Sequence, residues 1–526
     1  MYQCPNCGGN LLFDISSQQL KCEYCLTQVD PYSIQKEHDA EENTLYDAVI
    51  YTCPQCGGEI IGPENSAAEF CSYCGASTIL TGRLVKEKRP GYIIPFQITK
   101  EDCVKSYKSI VRRAIFAPKE LKDPKFINRF RGIYMPYWAY YIAQDGSLNL
   151  TGSTSHRRGD YIITDHYRLN GILHSYYKGL SYDASSTFND NISEAIAPFD
   201  PREMKAFTPS ILSGFYADTA DVNSAVYMPD AYDFANDNTL KQISRTPQYF
   251  GVDIKTPTNN NSLNSQLHTL CKEVDSAMYP VWFLSYRRGN RVAYATVNGQ
   301  TGKAVADLPV SVGKYLLGSL ILALPIFLLL CVLFTFKPTT TLSLSAILSA
   351  VTIIIHSVEL SQIKKRELHE GDLGLISTRR SNATLTKNRV KTKNKTASNI
   401  IGIIFACVFG TFFAIFTFAA LGDLMGRFIV PALSMICGIV ATAIGSSSTK
   451  KLKKQLKASA LTPSLFALII AFLVRLINPV SDIFYYGATI IIFISTIITL
   501  VDIIQKYNIL STRKLPQFSR KGSDKE

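Results

Sequence analysis

Beyond residue 313 the sequence is a series of long apolar runs separated by basic segments. No other feature restricts the fold as tightly. A chain lying in hydrocarbon must satisfy every backbone polar group internally, which for uninterrupted runs of this length leaves the α-helix. Six runs, 315–336, 341–358, 400–421, 427–446, 461–478 and 482–504, approach the ~20 residues of a helical crossing. The fifth is the shortest in effect, interrupted by Pro463 and Arg475, and its competing reading is a buried core helix. Residues 315–504 therefore predict an all-α transmembrane bundle, with a basic tail over 505–526.

Charge sets the expected orientation. The loop 359–399 carries ten Lys/Arg, among them Lys364, Lys365, Arg366, Arg379 and Arg380. The loop 447–460 carries Lys450, Lys451, Lys453, Lys454 and Lys457, and the tail adds Arg513, Lys514, Arg520 and Lys521. The alternate connections hold only Lys337, Arg427 beside Asp423, and Arg475 near Asp482. Positive residues are retained on the cytoplasmic side, so six crossings with both termini cytoplasmic are expected for a multi-pass protein of the cell (inner) membrane. The same loops account for the formal charge of +13. Near the surface they would attract anionic lipid at about 1 kcal/mol per residue, and nucleic acid is the least needed partner. Gly402, Ala406, Gly410 and Ala414 form a small-xxx-small ridge in the third run, a surface for helix packing and oligomer formation. The ionisable residues of this region, His356, Glu359, Asp423, Arg475 and Asp502, lie near the ends of the runs, which argues against a transport pathway.

The first 80 residues contain a duplication. Cys4-Pro5-Asn6-Cys7-Gly8-Gly9 recurs as Cys53-Pro54-Gln55-Cys56-Gly57-Gly58, and Cys22-Glu23-Tyr24-Cys25 as Cys71-Ser72-Tyr73-Cys74. Fourteen residues separate the inner cysteines in both copies. Paired C-x-x-C knuckles at this spacing are those of a zinc ribbon, in which a hairpin returns the chain to close a tetrahedral thiolate site. Two structural Zn2+ are expected, held by Cys4, Cys7, Cys22, Cys25 and by Cys53, Cys56, Cys71, Cys74. Spacing prefers pairing within each copy but leaves a crossed arrangement open. Met1 leads directly into the first knuckle without an apolar stretch, so no secretory signal is expected, and a reducing compartment suits the thiolates. A closed four-ligand site has no open position for hydrolytic chemistry. Between its outer cysteines the first copy holds one basic residue, Lys21, and the second holds none. The ribbons thus read as folded pegs for protein contact, residues 1–29 and 51–85, joined by an acidic linker over 30–50. That linker is expected to be a loose tether or a short helix.

Residues 90–312 predict an α+β cytosolic domain with a mainly antiparallel sheet. Thr99-Lys100-Glu101-Asp102 resembles a capping box, followed at helical spacing by Val104, Tyr107, Val111 and Ile115 and closed by Pro118. Gly132–Tyr141, Pro280–Tyr286, Arg291–Val297 and Lys303–Val305 read as strands, 159–180 as short β-like runs, and 202–245 as helical with Pro209 near a start. Asn298-Gly299-Gln300-Thr301-Gly302-Lys303 is a hairpin turn rather than a phosphate loop, since Val297 stands where the first glycine is needed and Ala304 follows the lysine. His156, His166 and His174 read as surface or cross-strand partners. No catalytic constellation is present, and the chain is expected not to be an enzyme.

The knuckles CPNCGG and CEYC, the stretch IYMPYWAYY, residues 199–218 and residues 279–309 together resemble the bacterial TFIIB-type zinc-ribbon membrane proteins over about residues 1–330. Members of that family are often labelled as the primosomal replication-restart helicase, a label the missing Walker motif sets aside here. Some are similar to membrane partners of phage-shock-protein-A-type envelope-stress systems. The resemblance implies a scaffold role. This chain departs from the commoner single-ribbon pattern in having two full ribbons and more apolar segments. The expected function is a membrane scaffold or adaptor that presents cytosolic domains to cytosolic or membrane protein partners. The alternatives are a transporter or channel with a cytosolic zinc-ribbon regulatory domain, and a membrane-tethered nucleic-acid-binding regulator.

Overall fold

The computed structural model describes residues 2–38, 45–62, 70–77, 81–246, 252–255, 260–333, 337–368, 430–450 and 461–516. The 400–421 run with its small-residue ridge, and most of the two basic loops, lie outside the described residues.

The cysteine knuckles of the two repeats fold alike but acquire different neighbours. In the first, β1 (Leu11–Asp14), β2 (Gln19–Cys22) and β3 (Gln28–Val29) form a small antiparallel sheet of their own, with Leu11 opposite Cys22. Alternation turns Leu11, Phe13 and Leu20 inward, into the core that also holds Ile93 and Phe96. The acidic linker is helical over α1 (Pro31–His38), with proline at its first position, where the missing N–H costs nothing. Ser210 donates to the Pro31 carbonyl at 2.8 Å and Tyr32 to that of Ala206, also at 2.8 Å. The segment is thus fastened to the body rather than loose.

The second repeat is built into the main sheet. β4 (Leu45–Thr52) pairs with β5 (Glu59–Gly62) and with β6 (Thr81–Lys88). β5 in turn meets β11 (Tyr216–Ala217) through Ile61 and Ala217, and β11 runs parallel to the long β8 (Arg131–Arg158). The boundary expected between 51–85 and 90–312 is therefore crossed by strand pairing. A non-local bridge of this kind leaves no trace in local residue pattern.

Around β8 the sheet is mainly antiparallel. β13 (Leu270–Arg288) lies along its first half, β9 (Tyr161–Asp183) pairs with it from Tyr137 to its end, and β14 (Arg291–Asn298) pairs with β13. β7 (Tyr92–Ile93), β10 (Lys205–Ala206), β12 (Asp253–Lys255) and β15 (Ala304–Ala306) complete it. Tyrosines fill the centre: Tyr137 stacks on Tyr279 with centroids 4.5 Å apart, and Phe96 lies among Tyr134, Phe215 and Trp282. Helix α2 (Lys100–Arg113) starts as expected, with the Thr99 hydroxyl accepting from the Asp102 amide at 3.2 Å, and buries Cys103, Tyr107 and Val111. It ends before Ile115, which is exposed. α3 (Pro124–Ile127) and α4 (Asp190–Ile196) are short, while α5 (Met228–Arg245) and α6 (Asn260–Gln266) cover one face of the β8–β9 hairpin.

Two expectations are corrected here. Residues 202–245 are helical only from Met228; upstream, Pro201 and Pro209 open single 3-10 turns, and Tyr216–Ala217 is drawn into the sheet. The short runs of 159–180 are one continuous strand whose polar, exposed residues hide its length from a hydropathy reading. Most of β9 from Tyr161 to Lys178 is solvent-exposed, and with the end of β8 it forms a projecting arm.

The C-terminal helices are α7 (Val312–Leu333), α8 (Pro338–Leu368), α9 (Val430–Lys450), α10 (Leu461–Ile477) and α11 (Ile483–Leu510). Three stretches, Val312–Leu329, Pro338–Ile363 and Ile483–Leu510, are long and apolar enough to cross a membrane, while Pro431–Ala443 and Leu461–Ile477 are shorter. α8, α9, α10 and α11 enclose a core of Leu342, Ala346, Ala350, Ala441, Ala467 and Ile492, among others. Among the described residues, none buries the apolar stretch of α7. Its exposed leucines and isoleucines are compatible with a hydrocarbon solvent.

Among the described residues the bundle and the N-terminal body meet around the start of α7 and the end of α11, where Lys314 also donates to the Ala117 carbonyl at 2.6 Å. After α11 the chain forms β16 (Arg513–Lys514), which pairs with the start of β14. The Arg291 guanidinium donates to the carbonyls of Ile509 at 2.7 Å and Thr512 at 2.8 Å, and Asn508 exchanges hydrogen bonds with the backbone of Val310. The start of α7 and the end of α11 therefore lie side by side.

Candidate metal centres

Each cysteine pair is held by the same two backbone bonds. The first cysteine's carbonyl accepts from the amide four residues on, and its amide donates to the carbonyl five residues on. This holds at Cys4 (from Gly8, to Gly9), Cys22 (Leu26, Thr27), Cys53 (Gly57, Gly58) and Cys71 (Gly75, Ala76), all between 2.7 and 3.1 Å. The turn forces a left-handed backbone four residues after the first cysteine. Gly8, Gly57 and Gly75 supply it at φ 72°, 73° and 69°. The fourth knuckle has Leu26 there, at φ 60°, where a side chain costs on the order of 1 kcal/mol.

The turns gather the sulfurs within each copy. Cys4 and Cys25 approach to 3.5 Å and Cys7 and Cys22 to 3.4 Å; Cys53 and Cys74 lie at 3.8 Å, Cys56 and Cys71 at 3.7 Å. Crossed pairing is excluded, since the two groups of four each lie within 4.8 Å and are made of one repeat apiece. The separations are far beyond a disulfide bond of about 2.05 Å. They match the edge of a tetrahedron with metal–sulfur bonds of about 2.3 Å, which is about 3.8 Å.

The donor chemistry fits a soft cation. Hydrogen bonds from Cys56, Cys71 and Cys74 push the Cys53 thiol far down, and Cys53 first among its neighbours pushes Cys71 far up. Four sulfurs this close cannot all lose their protons unless a positive charge stands between them. In the first group the Thr27 hydroxyl beside Cys25, at 3.1 Å, helps draw that thiol down to about 6. Four thiolates would hold the ion in a closed structural site. Among the described residues these two groups are the clusters able to hold a metal.

Their surroundings differ sharply. All four sulfurs of the second centre are buried, whereas Cys7 and Cys25 of the first are exposed. Tyr73 is 1% exposed and sets its ring edge-on to Phe283; its carbonyl accepts from the Tyr294 hydroxyl at 2.7 Å. Arg287 donates to the Gln55 side chain at 2.6 Å, and the Arg131 guanidinium lies 3.7 Å over the Phe70 ring. Burial holds the Tyr294 phenol well above its ordinary value, so it stays a donor to Tyr73. Tyr24, the counterpart of Tyr73, is 77% exposed.

The histidines of the hairpin sit in cross-strand positions. His174 faces Asp145 at 2.9 Å and His156 lies 3.7 Å from Asp165. The 298–303 segment is a hairpin turn between β14 and β15, with the Asn298 side chain accepting from the amides of Gln300 and Thr301, each at 2.9 Å, and Lys303 donating to the Ala197 carbonyl.

A polar group in the helical bundle went unread as a unit. His356 on α8 contacts Asp502 on α11 at 2.9 Å, and Lys506 reaches the other oxygen of Asp502 at 3.3 Å. All three are buried, and Glu359 follows one turn after His356 with a buried carboxylate oxygen. The sequence signal was present in the spacing: His356 and Glu359 at i,i+3, Asp502 and Lys506 at i,i+4, each pair on one helix face. That the two faces meet is a matter of helix packing.

No family model and no solved structure matches the chain. It is 33% identical over 319 residues to the "Uncharacterized protein YdjG" of Bacillus subtilis (strain 168), an alignment spanning 60% of this chain and 91% of the relative. With that identity over nine-tenths of the relative's length, the chain belongs to the same family as YdjG.

Proposed function

We propose that the chain is an integral membrane scaffold whose ribbons each hold a structural Zn2+ and whose N-terminal body is presented to protein partners on the cytoplasmic face. The observation that carries this reading is the mutual arrangement of ribbons, sheet and bundle. The second thiolate centre stiffens a large sheet, and that sheet is clamped through Arg291 to the end of the last apolar helix. Zinc is the ion because four cysteines in tetrahedral array at ribbon spacing suit it, and no redox role is needed. The resemblance to TFIIB-type zinc-ribbon membrane proteins supports the scaffold role and links it to envelope stress. No reaction is assigned to the chain.

The clamp also bears on topology. The hydrogen bonds between Val310 and Asn508 support an even number of crossings between them, since the two residues would then lie on one face of the membrane. This agrees with six crossings and with both termini in the cytoplasm, as the Lys/Arg distribution indicates.

A second reading, a transporter or channel with a cytosolic zinc-ribbon regulator, is favoured by one observation: the buried His356–Asp502–Lys506 group, of a kind expensive to keep among apolar helices without use. The experiment that separates them is crosslinked pull-down of the full chain from cells, comparing the native chain with Cys7→Ser, alongside ion-flux measurement on the reconstituted protein. Scaffolding predicts specific partners that depend on the ribbon and no flux. Flux abolished by Asp502→Asn, with no partner recovered, would overturn it.

A further inference from the structure

The duplication supplies its own template for an interaction that one copy makes and the other leaves open. By position in the repeat, Asn6 corresponds to Gln55, Tyr24 to Tyr73 and Leu26 to Gly75. In the second copy all three positions form an interface. Tyr73 is buried against Phe283, its carbonyl takes the Tyr294 hydroxyl, Gln55 takes Arg287, and Gly75 sits against the side chains of Arg287 and Ser285. In the first copy Tyr24 is 77% and Leu26 64% exposed. The rest of the first ribbon is anchored through the opposite part of its hairpin: Phe13 bonds the Ser213 carbonyl, and the Gln18 side chain that of Phe96. The knuckle is left pointing outward.

Leu26 is the second, independent sign. Three of the four knuckles place glycine at the left-handed position, and this one places a large apolar side chain there, exposed. Leu26 thus holds a strained turn while most of its side chain faces solvent, a combination that points to a functional rather than a packing role.

We propose that the Asn6–Tyr24–Leu26 knuckle of the first ribbon docks an aromatic β-sheet face of a partner protein, as the second knuckle docks on this chain's own sheet. The proposal rests on the scaffold reading and names its contact surface. The occupant carries an aromatic side chain to meet Tyr24 and an apolar pocket for Leu26. Its polar rim holds a donor for Asn6, in the role Arg287 plays for Gln55. Nucleic acid is a poor occupant, because the basic side chain between Cys4 and Cys25 is Lys21 alone, with Glu23 nearby. The matching face of a second copy is filled by that copy's own second knuckle.

The test is photo-crosslinking of the full chain in its native membrane, with p-benzoylphenylalanine at position 24 and, separately, at position 172 on the exposed hairpin arm. The expected result is a protein adduct at position 24 whose crosslinked peptide contains an aromatic residue. Leu26→Gly should relax the turn, leave the metal content at two ions, and reduce the adduct by about tenfold through loss of the leucine contact. An adduct at 24 with lipid, nucleic acid or a second copy overturns the proposal, as does an adduct indifferent to Leu26→Gly. A protein adduct at 172 with none at 24 overturns the knuckle and spares the scaffold reading; no adduct at either position overturns both.

Discussion

Removing one ligand from each metal centre should have unequal consequences. The sulfurs of the second centre are 1–3% exposed and belong to the core that contains Tyr279, Val281 and Phe283. A structural zinc in a ribbon contributes about 10–16 kcal/mol to folding, against a total stability of about 5–15 kcal/mol for a domain. Cys53→Ser should therefore cost more than the sheet has to lose. Cys7→Ser empties a centre at the edge. There Leu11, Phe13 and Leu20 still hold the hairpin to the body, at roughly 1.5–3 kcal/mol for each buried side chain, and the second core is untouched. The assay is metal analysis of the full chain in detergent, together with thermal unfolding followed by tryptophan fluorescence. The chain has two tryptophans, and both Trp138 and Trp282 lie in the sheet. The native chain should hold two ions. Cys7→Ser should hold one, with little change in emission or midpoint. Cys53→Ser should lose tryptophan burial at all temperatures or fail to accumulate. A Cys53→Ser chain that keeps one ion and melts like the native protein would refute the argument that the second centre is part of the core. Loss of both ions in Cys7→Ser would refute the independence of the two centres.

Other outcomes follow from the same geometry. Tyr73→Ala should destabilise the sheet by about 3–5 kcal/mol, as for other large buried aromatics, while Tyr24→Ala should change stability by at most about 0.5 kcal/mol; chemical denaturation of the two variants compares them directly. Asp502→Ala removes the carboxylate that both His356 and Lys506 contact and should cost about 3–5 kcal/mol, read as a lowered midpoint in detergent, with Asp502→Asn milder. Reporter fusions at Lys393, Lys454 and Ser523 should report the cytoplasm and those at Thr340, Leu424 and Val480 the outside. Opposite sides for Ser523 and the N-terminal ribbons would contradict the Arg291 clamp. Lys303→Ala should leave any ATP hydrolysis by the purified chain unchanged, because that lysine ties a hairpin turn to the Ala197 carbonyl; hydrolysis lost with the substitution would contradict this.

Much of this molecule was legible in one dimension. The eight metal-site cysteines, the hairpin of the first repeat, the Thr99 cap and the apolar helices of the bundle all follow from patterns local in the sequence. Each is set by local chemistry: a knuckle needs its turn, a cap needs its hydroxyl, a crossing needs its apolar length. The tertiary structure decided where these pieces go. Two repeats of nearly identical pattern became a buried strut and an exposed knuckle, because one has Phe283 and Tyr294 beside its tyrosine and the other has solvent. His356 and Asp502, 146 positions apart in the sequence, met because α8 and α11 pack face to face. The Ile61–Ala217 bridge and the Arg291 clamp likewise join residues distant in sequence. Side-chain pattern fixes which face of an element is apolar, but which partner covers that face is settled by all the elements competing for it at once.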